Sequence, residues 1–117
     1  MQYINSIILF SIILNLSSCT SHQTKGEDAL VTFAKSNCFF WYFKSQNIDT
    51  TQIKKITAGV VEMSSYSSEK FQKVAFLVKN YSPNTYTKKN IDIDLSKCFS
   101  LNSDSEFLGK IDAISKL

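Results

Sequence analysis

Arginine is absent from this sequence: all 13 basic residues are lysines. Without the planar guanidinium fork the chain has no bidentate reader of phosphates or base edges. The lysines are scattered, with Lys54-Lys55 and Lys88-Lys89 the only doublets, a pattern of a solvated surface and not of a nucleic-acid footprint. Histidine occurs once, at His22, ahead of the expected folded body. That excludes a nucleophile–histidine site within the body and argues against a zinc or iron centre with a histidine ligand. The three glycines, Gly26, Gly59 and Gly109, are too far apart for a phosphate-cradling loop. With one proline besides, the chain is poor in backbone breakers, which favours helices over a hairpin-rich β fold.

What is present suits a single globular domain. The chain has 117 residues, 44% of them hydrophobic, with nine Phe, five Tyr and one Trp. That is enough apolar surface for a core, which excludes global disorder. The net charge is +3.

The N-terminus reads as an export signal. Ile7 to Leu16 form an apolar run of about ten residues, half of what a spanning helix needs. Ser17 and Ser18 follow, then Cys19, and the stretch Leu16-Ser17-Ser18-Cys19 resembles the bacterial lipobox, in which the cysteine is acylated. A plain secretory signal with an incidental Cys19 is the alternative, and Met1 to Ser6 carry no Lys or Arg. The expected organisation is a lipoprotein-type signal peptide over 1–18, a polar tether over 19–26 and a helical domain over 27–117. The expected location is the periplasm, with the chain membrane-anchored through an N-terminal lipid.

Three cysteines in an exported chain leave one to explain. If lipid consumes Cys19, Cys38 and Cys98 form a pair, and an oxidising periplasm permits a disulfide. Two buried free thiols packing as small apolar groups are the alternative. The spacing fits no zinc pattern, and no metal or other cofactor is expected.

Periodicity predicts an all-α fold, a compact bundle of about five helices. The first helix is expected over 27–43, with Leu30, Phe33, Ala34, Cys38 and Trp41 on one face and Glu27 and Asp28 at its positive end. Its last part, Cys38 to Phe43, is apolar on every side, which marks burial or a partner; core is the favoured placement for Phe39, Phe40, Trp41 and Phe43. The second is expected over 50–63, capped by Asp49 with Gln52 completing a capping box, and with Ile53, Ile56, Val60 and Met63 inward. The third spans 68–80 with Phe71, Val74, Leu77, Val78 and Tyr81 inward. After a polar loop containing Pro83, the fourth spans 91–101 from an Asn90 cap, with Ile91, Leu95, Cys98 and Phe99 sharing a face. The fifth starts after Ser103, with Glu106 as a capping-box partner and Phe107, Leu108, Ile111 and Ile114 inward. Strand readings around Val60-Val61 and Val74 to Val78 lose to the helical period of the longer stretches.

No catalytic constellation emerges, and the chain reads as a non-enzyme. Asp92 and Asp94 stand two apart on a helix and point different ways, serving the helix dipole. Glu62 and Glu69 read as surface residues.

The region from about Asp28 to Ile114 resembles the immunity proteins that neutralise type VI secretion amidase effectors. The likeness rests on Ala34-Lys35-Ser36-Asn37-Cys38 on an early helix and Phe76-Leu77-Val78-Lys79-Asn80-Tyr81 leading into a loop. It continues in Asp94-Leu95-Ser96-Lys97-Cys98-Phe99 and in Ser105-Glu106-Phe107-Leu108 after a Ser-rich break. The chain departs from the family pattern at Phe99 and Asn102 and in its lipobox. The resemblance implies an enzyme inhibitor that binds a peptidoglycan-cleaving amidase effector in the periplasm and blocks its groove. It also implies a helical homodimer. In such proteins the loop between the third and fourth helices enters the enzyme, and here that loop is Ser82, Pro83, Asn84, Thr85, Tyr86, Thr87, Lys88, Lys89 and Asn90. An ordinary solvated connector is the alternative for that loop. For the whole chain the alternative is a structural or adaptor envelope lipoprotein without an inhibitory role.

Overall fold

Tyrosine-to-aspartate hydrogen bonds tie the N-terminal ends of three helices to the rest of this fold. The computed structural model describes residues 28–83 and 90–117. The expected signal peptide, Cys19 and the polar tether lie outside them, as does Glu27. Among the described residues the chain is all-α, with five α-helices and no strands: α1 (Ala29–Ser45), α2 (Thr51–Glu62), α3 (Ser68–Asn80), α4 (Ile93–Ser100) and α5 (Ser105–Ser115). A 3-10 turn, Leu101–Ser103, links the last two. No helix of the described residues is long and apolar enough to cross a membrane.

The central element is α1, which packs against each of the other four helices. Its first ten residues therefore bury nearly every side: Leu30, Val31, Phe33, Ala34, Ser36 and Cys38 are all buried. This placement explains why Val31 and Ser36 are buried as well as the expected face of Leu30, Phe33, Ala34 and Cys38. The buried Ser36 hydroxyl donates to the Phe33 carbonyl at 3.0 Å, which satisfies it inside its own helix. Around α1, the core adds Phe71, Val74, Val78 and Tyr81 from α3 and its end. Cys98, Leu101, Phe107 and Ile111 complete it. Phe33 meets Phe71 edge-on with centroids 5.0 Å apart, and Tyr81 meets Phe107 at 5.1 Å.

Three aspartates each cap a helix and also hold a tyrosine from elsewhere in the chain. Asp28 accepts the Leu30 backbone N–H at the start of α1 and the Tyr66 hydroxyl, both at 2.8 Å. Asp92 accepts the Leu95 N–H at 3.0 Å at the start of α4 and the Tyr42 hydroxyl at 2.9 Å. Asp104 accepts the Phe107 N–H at 2.9 Å at the start of α5 and the Tyr81 hydroxyl at 2.8 Å. Each carboxylate satisfies an otherwise orphaned amide of the first turn and ties that helix end to a tyrosine remote in sequence. The N–H bonds, followed by the tyrosine hydroxyls, hold Asp92 and Asp104 below the ordinary carboxylate value. The partners respond in the opposite sense. Hydrogen bonding to Asp92 and Asp28 raises Tyr42 and Tyr66, and burial, then the bond to Asp104, pushes Tyr81 up to about 12.

These caps correct several expected boundaries. α4 starts at Ile93 from Asp92, not at Ile91 from Asn90, because Asn90 sits in the left-handed region (φ 75°) and turns the chain before the helix. α5 is capped by Asp104, not Ser103; the 3-10 turn consumes Ser103, whose hydroxyl donates to the Ser100 carbonyl at 3.1 Å. Glu106 consequently pairs with Lys110 at 3.5 Å. At α2, Thr50 holds the cap position, while Asp49 accepts the Thr51 N–H (3.0 Å) and hydroxyl (2.7 Å). Gln52 lies exposed, one position short of the capping-box place. α1 runs to Ser45 and ends with Asn47 at φ 57°. The Ile48 N–H then returns to the Phe43 carbonyl at 2.9 Å and that of Asn47 to Lys44 at 3.3 Å, the double bond pattern that closes many helices.

Candidate functional site

The disulfide is the first expected feature of chemical consequence, and it is present: the Cys38 and Cys98 sulfurs are 2.08 Å apart, with Cα atoms separated by 5.4 Å. It joins the middle of α1 to α4 and is buried on both sides. The free-thiol alternative falls with it. Cys98 is the only buried residue of α4, so the crosslink is the main anchor of that short helix. The Tyr42–Asp92 bond supports its start. Lys97 supports its middle by donating to the Val78 carbonyl at 2.9 Å, near the C-terminus of α3. Desolvation there lowers the Lys97 pKa, and nearby Asp94 partly offsets the effect.

Around this anchor the aromatic end of α1 fans out: Phe39 packs against the edge of the core, while Phe40 and Trp41 do not enter it as expected. Phe39 is half-buried against Phe99 of α4, with centroids at 5.2 Å and rings nearly perpendicular. Phe40 is half-buried on the α2 side, 5.7 Å from the Lys54 ammonium. Trp41 is 44% exposed, with the Lys44 ammonium 5.0 Å over its ring. The reason is geometric. Five consecutive aromatics sweep more than a full helical turn, and the neighbours of α1 enclose its first half more completely than its last. Beside the disulfide, Cys38, Trp41 and Lys97 line two adjoining clefts of about 180 and 240 Å³. The first is closed by Tyr42, Ser45 and Asp94, the second by Val78 and Lys79.

Other apolar residues also differ from their expected inward placement. Ile56 of α2 and Met63 just past its end are exposed, Met63 by 92%, because α2 is rolled so that Ile53, Thr57, Val60 and Val61 face inward; no residue of α2 is fully buried. Ile91 and Phe99 are exposed too, as α4 turns Cys98 into the core. Phe76 on α3 adds a further exposed aromatic.

Of the expected partner-binding loop, Ser82 and Asn90 are exposed and Pro83 is half-buried. Asn84, Thr85, Tyr86, Thr87, Lys88 and Lys89 lie outside the described residues, as does His22. The loop leaves from the end of α3 and returns to the start of α4, and residues of those two ends, Lys79 and Asp94, border the clefts beside Trp41.

The carboxylates do not converge. Asp92 is committed to its cap and Tyr42, and Asp94 stands in the first turn of α4. Glu62 is exposed, and Glu69, also exposed, pairs with Lys73 at 3.3 Å. Among the described residues no three His, Cys, Asp or Glu side chains come together as a metal site would require. A feature that sequence periodicity missed is a second stripe on α2: Lys54, Thr57, Ala58 and Val61, spaced i, i+3, i+4, i+7, line a groove with Asn37 and Phe40 of α1. The signal for it was there, but the bulkier Ile53–Ile56–Val60–Met63 series masked it.

Comparison with protein-family models, curated proteins and solved structures finds no match to this chain.

Proposed function

We propose that this protein is an exported immunity protein: it binds a peptidoglycan-cleaving amidase effector delivered by type VI secretion and blocks that enzyme's groove in the periplasm. The observation that carries the reading is the resemblance of the segments Ala34 to Cys38 and Asp94 to Phe99. These segments lie on α1 and α4, the two helices joined by the Cys38–Cys98 bond. An inhibitor gains from such a crosslink, because a binding surface fixed before association loses less entropy on binding. The exposed Trp41 and Phe99 support the same reading, since aromatic anchors dominate protein interfaces. In this reading the chain has no enzymatic activity of its own, Ser82 to Asn90 enters the enzyme, Cys19 carries a lipid anchor, and the working form is a homodimer.

The test is inhibition. The gene beside this one is expected to encode a small amidase with Cys and His, and that enzyme is assayed on purified peptidoglycan while this chain is titrated in. Loss of turnover at one equivalent, with weaker inhibition for Tyr86→Ala, is the expected result. Full amidase activity at tenfold excess of this chain rules the inhibitor out. Capture of an envelope complex without any inhibition would support the adaptor reading. Intact mass of the membrane-bound protein checks the anchor through an acyl addition at Cys19.

A further inference from the structure

The groove between α1 and α2 has a chemistry that the immunity reading does not use. It encloses about 320 Å³ and is lined by Asn37 and Phe40 of α1 and by Lys54, Thr57, Ala58 and Val61 of α2. Its floor is apolar and its small residues leave room: Ala58 is exposed and Val61 half-buried. The rim is cationic. The Lys54 ammonium lies 5.7 Å from the Phe40 ring centroid, and that of Lys44 lies 6.0 Å from the same ring. Asp49, whose carboxylate feels the Lys54 charge, is engaged by the N–H and hydroxyl of Thr51. Asn37 adds a third element. Its Oδ1 is shielded from solvent and accepts no hydrogen bond, a costly state for a buried polar atom. The side-chain amide turns on a soft terminal torsion, so a donor laid in the groove can recruit it.

We infer that the α1–α2 groove is a docking surface for an acidic, apolar peptide segment of a partner protein. The apolar side chain of that segment rests on Phe40, Ala58 and Val61, its carboxylate meets Lys54, and a backbone N–H reaches the Asn37 amide. Charge complementarity selects this occupant: an apolar floor beside the Lys54 ammonium favours an anion over a neutral or cationic group of the same shape. This inference stands whether or not the partner is an amidase, and it concerns a face formed by α1 and α2, not the loop between α3 and α4.

The experiment uses three matched probes, 4-phenylbutyrate, 4-phenylbutanamide and 4-phenylbutylamine, titrated into the 15N-labelled full chain and followed by amide shifts. The expected result is millimolar binding of the carboxylate, with shifts centred on Asn37, Phe40, Thr57, Ala58 and Val61. The amide should bind about threefold more weakly and the amine about tenfold more weakly. Lys54→Glu should invert the order of carboxylate and amine, and Ala58→Trp, which fills an exposed site, should abolish all three. Three outcomes overturn the inference: equal affinities for the probes, shifts centred elsewhere, or an order unchanged by Lys54→Glu. Concentration-dependent shifts of the same amides without probe would assign the groove to a second copy of the chain and overturn it as well.

Discussion

Removing the Cys38–Cys98 crosslink should cost this protein a large part of its stability, and the loss should appear first in α4. The bond spans a sequence separation of 60 residues. In the chain-entropy account, closing such a loop removes about 14 cal/mol/K from the unfolded ensemble, or about 4 kcal/mol at 25 °C. A small domain has only about 5–15 kcal/mol in total. The double variant Cys38→Ala/Cys98→Ala tests this without leaving a thiol in the core. With a urea dependence of about 1–2 kcal/mol/M for a domain this small, the unfolding midpoint should fall by roughly 2–4 M. The structure adds a regional expectation. α4 buries one residue, Cys98, whereas α1 buries six. Amide hydrogen exchange in the variant should therefore collapse along Ile93–Ser100 while the first half of α1 retains protection close to the global value. A midpoint within about 0.5 M of the parent would refute the entropic argument. Protection in α4 equal to that in α1 would refute the claim that the crosslink anchors that helix.

Four further expectations concern packing, helix propensity and titration. Phe107 is fully buried and Met63 is 92% exposed, so Phe107→Ala should cost about 3–5 kcal/mol and Met63→Ala less than about 0.5 kcal/mol in urea titrations. Gly59 and Gly109 lie inside helices with no atom near the site of an added Cβ; Gly109→Ala and Gly59→Ala should each stabilise by about 0.5–1 kcal/mol, read as a rise in melting temperature. Asp49, Asp92 and Asp104 have depressed carboxyl values. The unfolded chain therefore binds more protons than the folded one, and stability present above the ordinary carboxylate value of 3.8 is lost as pH falls through the folded values. Asp92→Asn with Asp104→Asn should flatten this acid limb of a urea-midpoint profile. The tyrosines act at the other end. With Tyr81 pushed up to about 12, stability present below pH 10 should decline as pH rises from there through the folded value, and Tyr81→Phe should shorten that decline.

Much of the fold was legible because helical period and few breakers act locally. The span of α3, Ser68–Asn80, follows directly from the spacing of Phe71, Val74, Val78 and Tyr81, and the inward set of α5, led by Phe107 and Ile111, follows in the same way. Cap identity was less legible. Ser103, Asn90 and Asp49 are all competent caps, and the choice fell to Asp104 and Asp92 at two of the three ends, where Tyr81 just past α3 and Tyr42 of α1 also bond those carboxylates. The candidate site was legible only in part. The loop Ser82 to Asn90 was visible as a polar interruption, whereas the α1–α2 groove depends on how α2 rolls against α1, which α2's own pattern leaves open between two overlapping stripes.

The sequence by itself therefore determined the helical class and the order of the helices, since periodicity and composition need no knowledge of neighbours; it left the Cys38–Cys98 pair beside a free-thiol alternative that only the structure closed. The tertiary structure alone decided which faces are covered. An aromatic run such as Phe39 to Phe43 carries the same hydrophobic drive on every side, and only the positions of α2, α3 and α4 around it settle that Trp41 meets solvent while Phe39 meets Phe99. Burial is a property of pairs of surfaces, and a single strand of sequence specifies only one member of each pair.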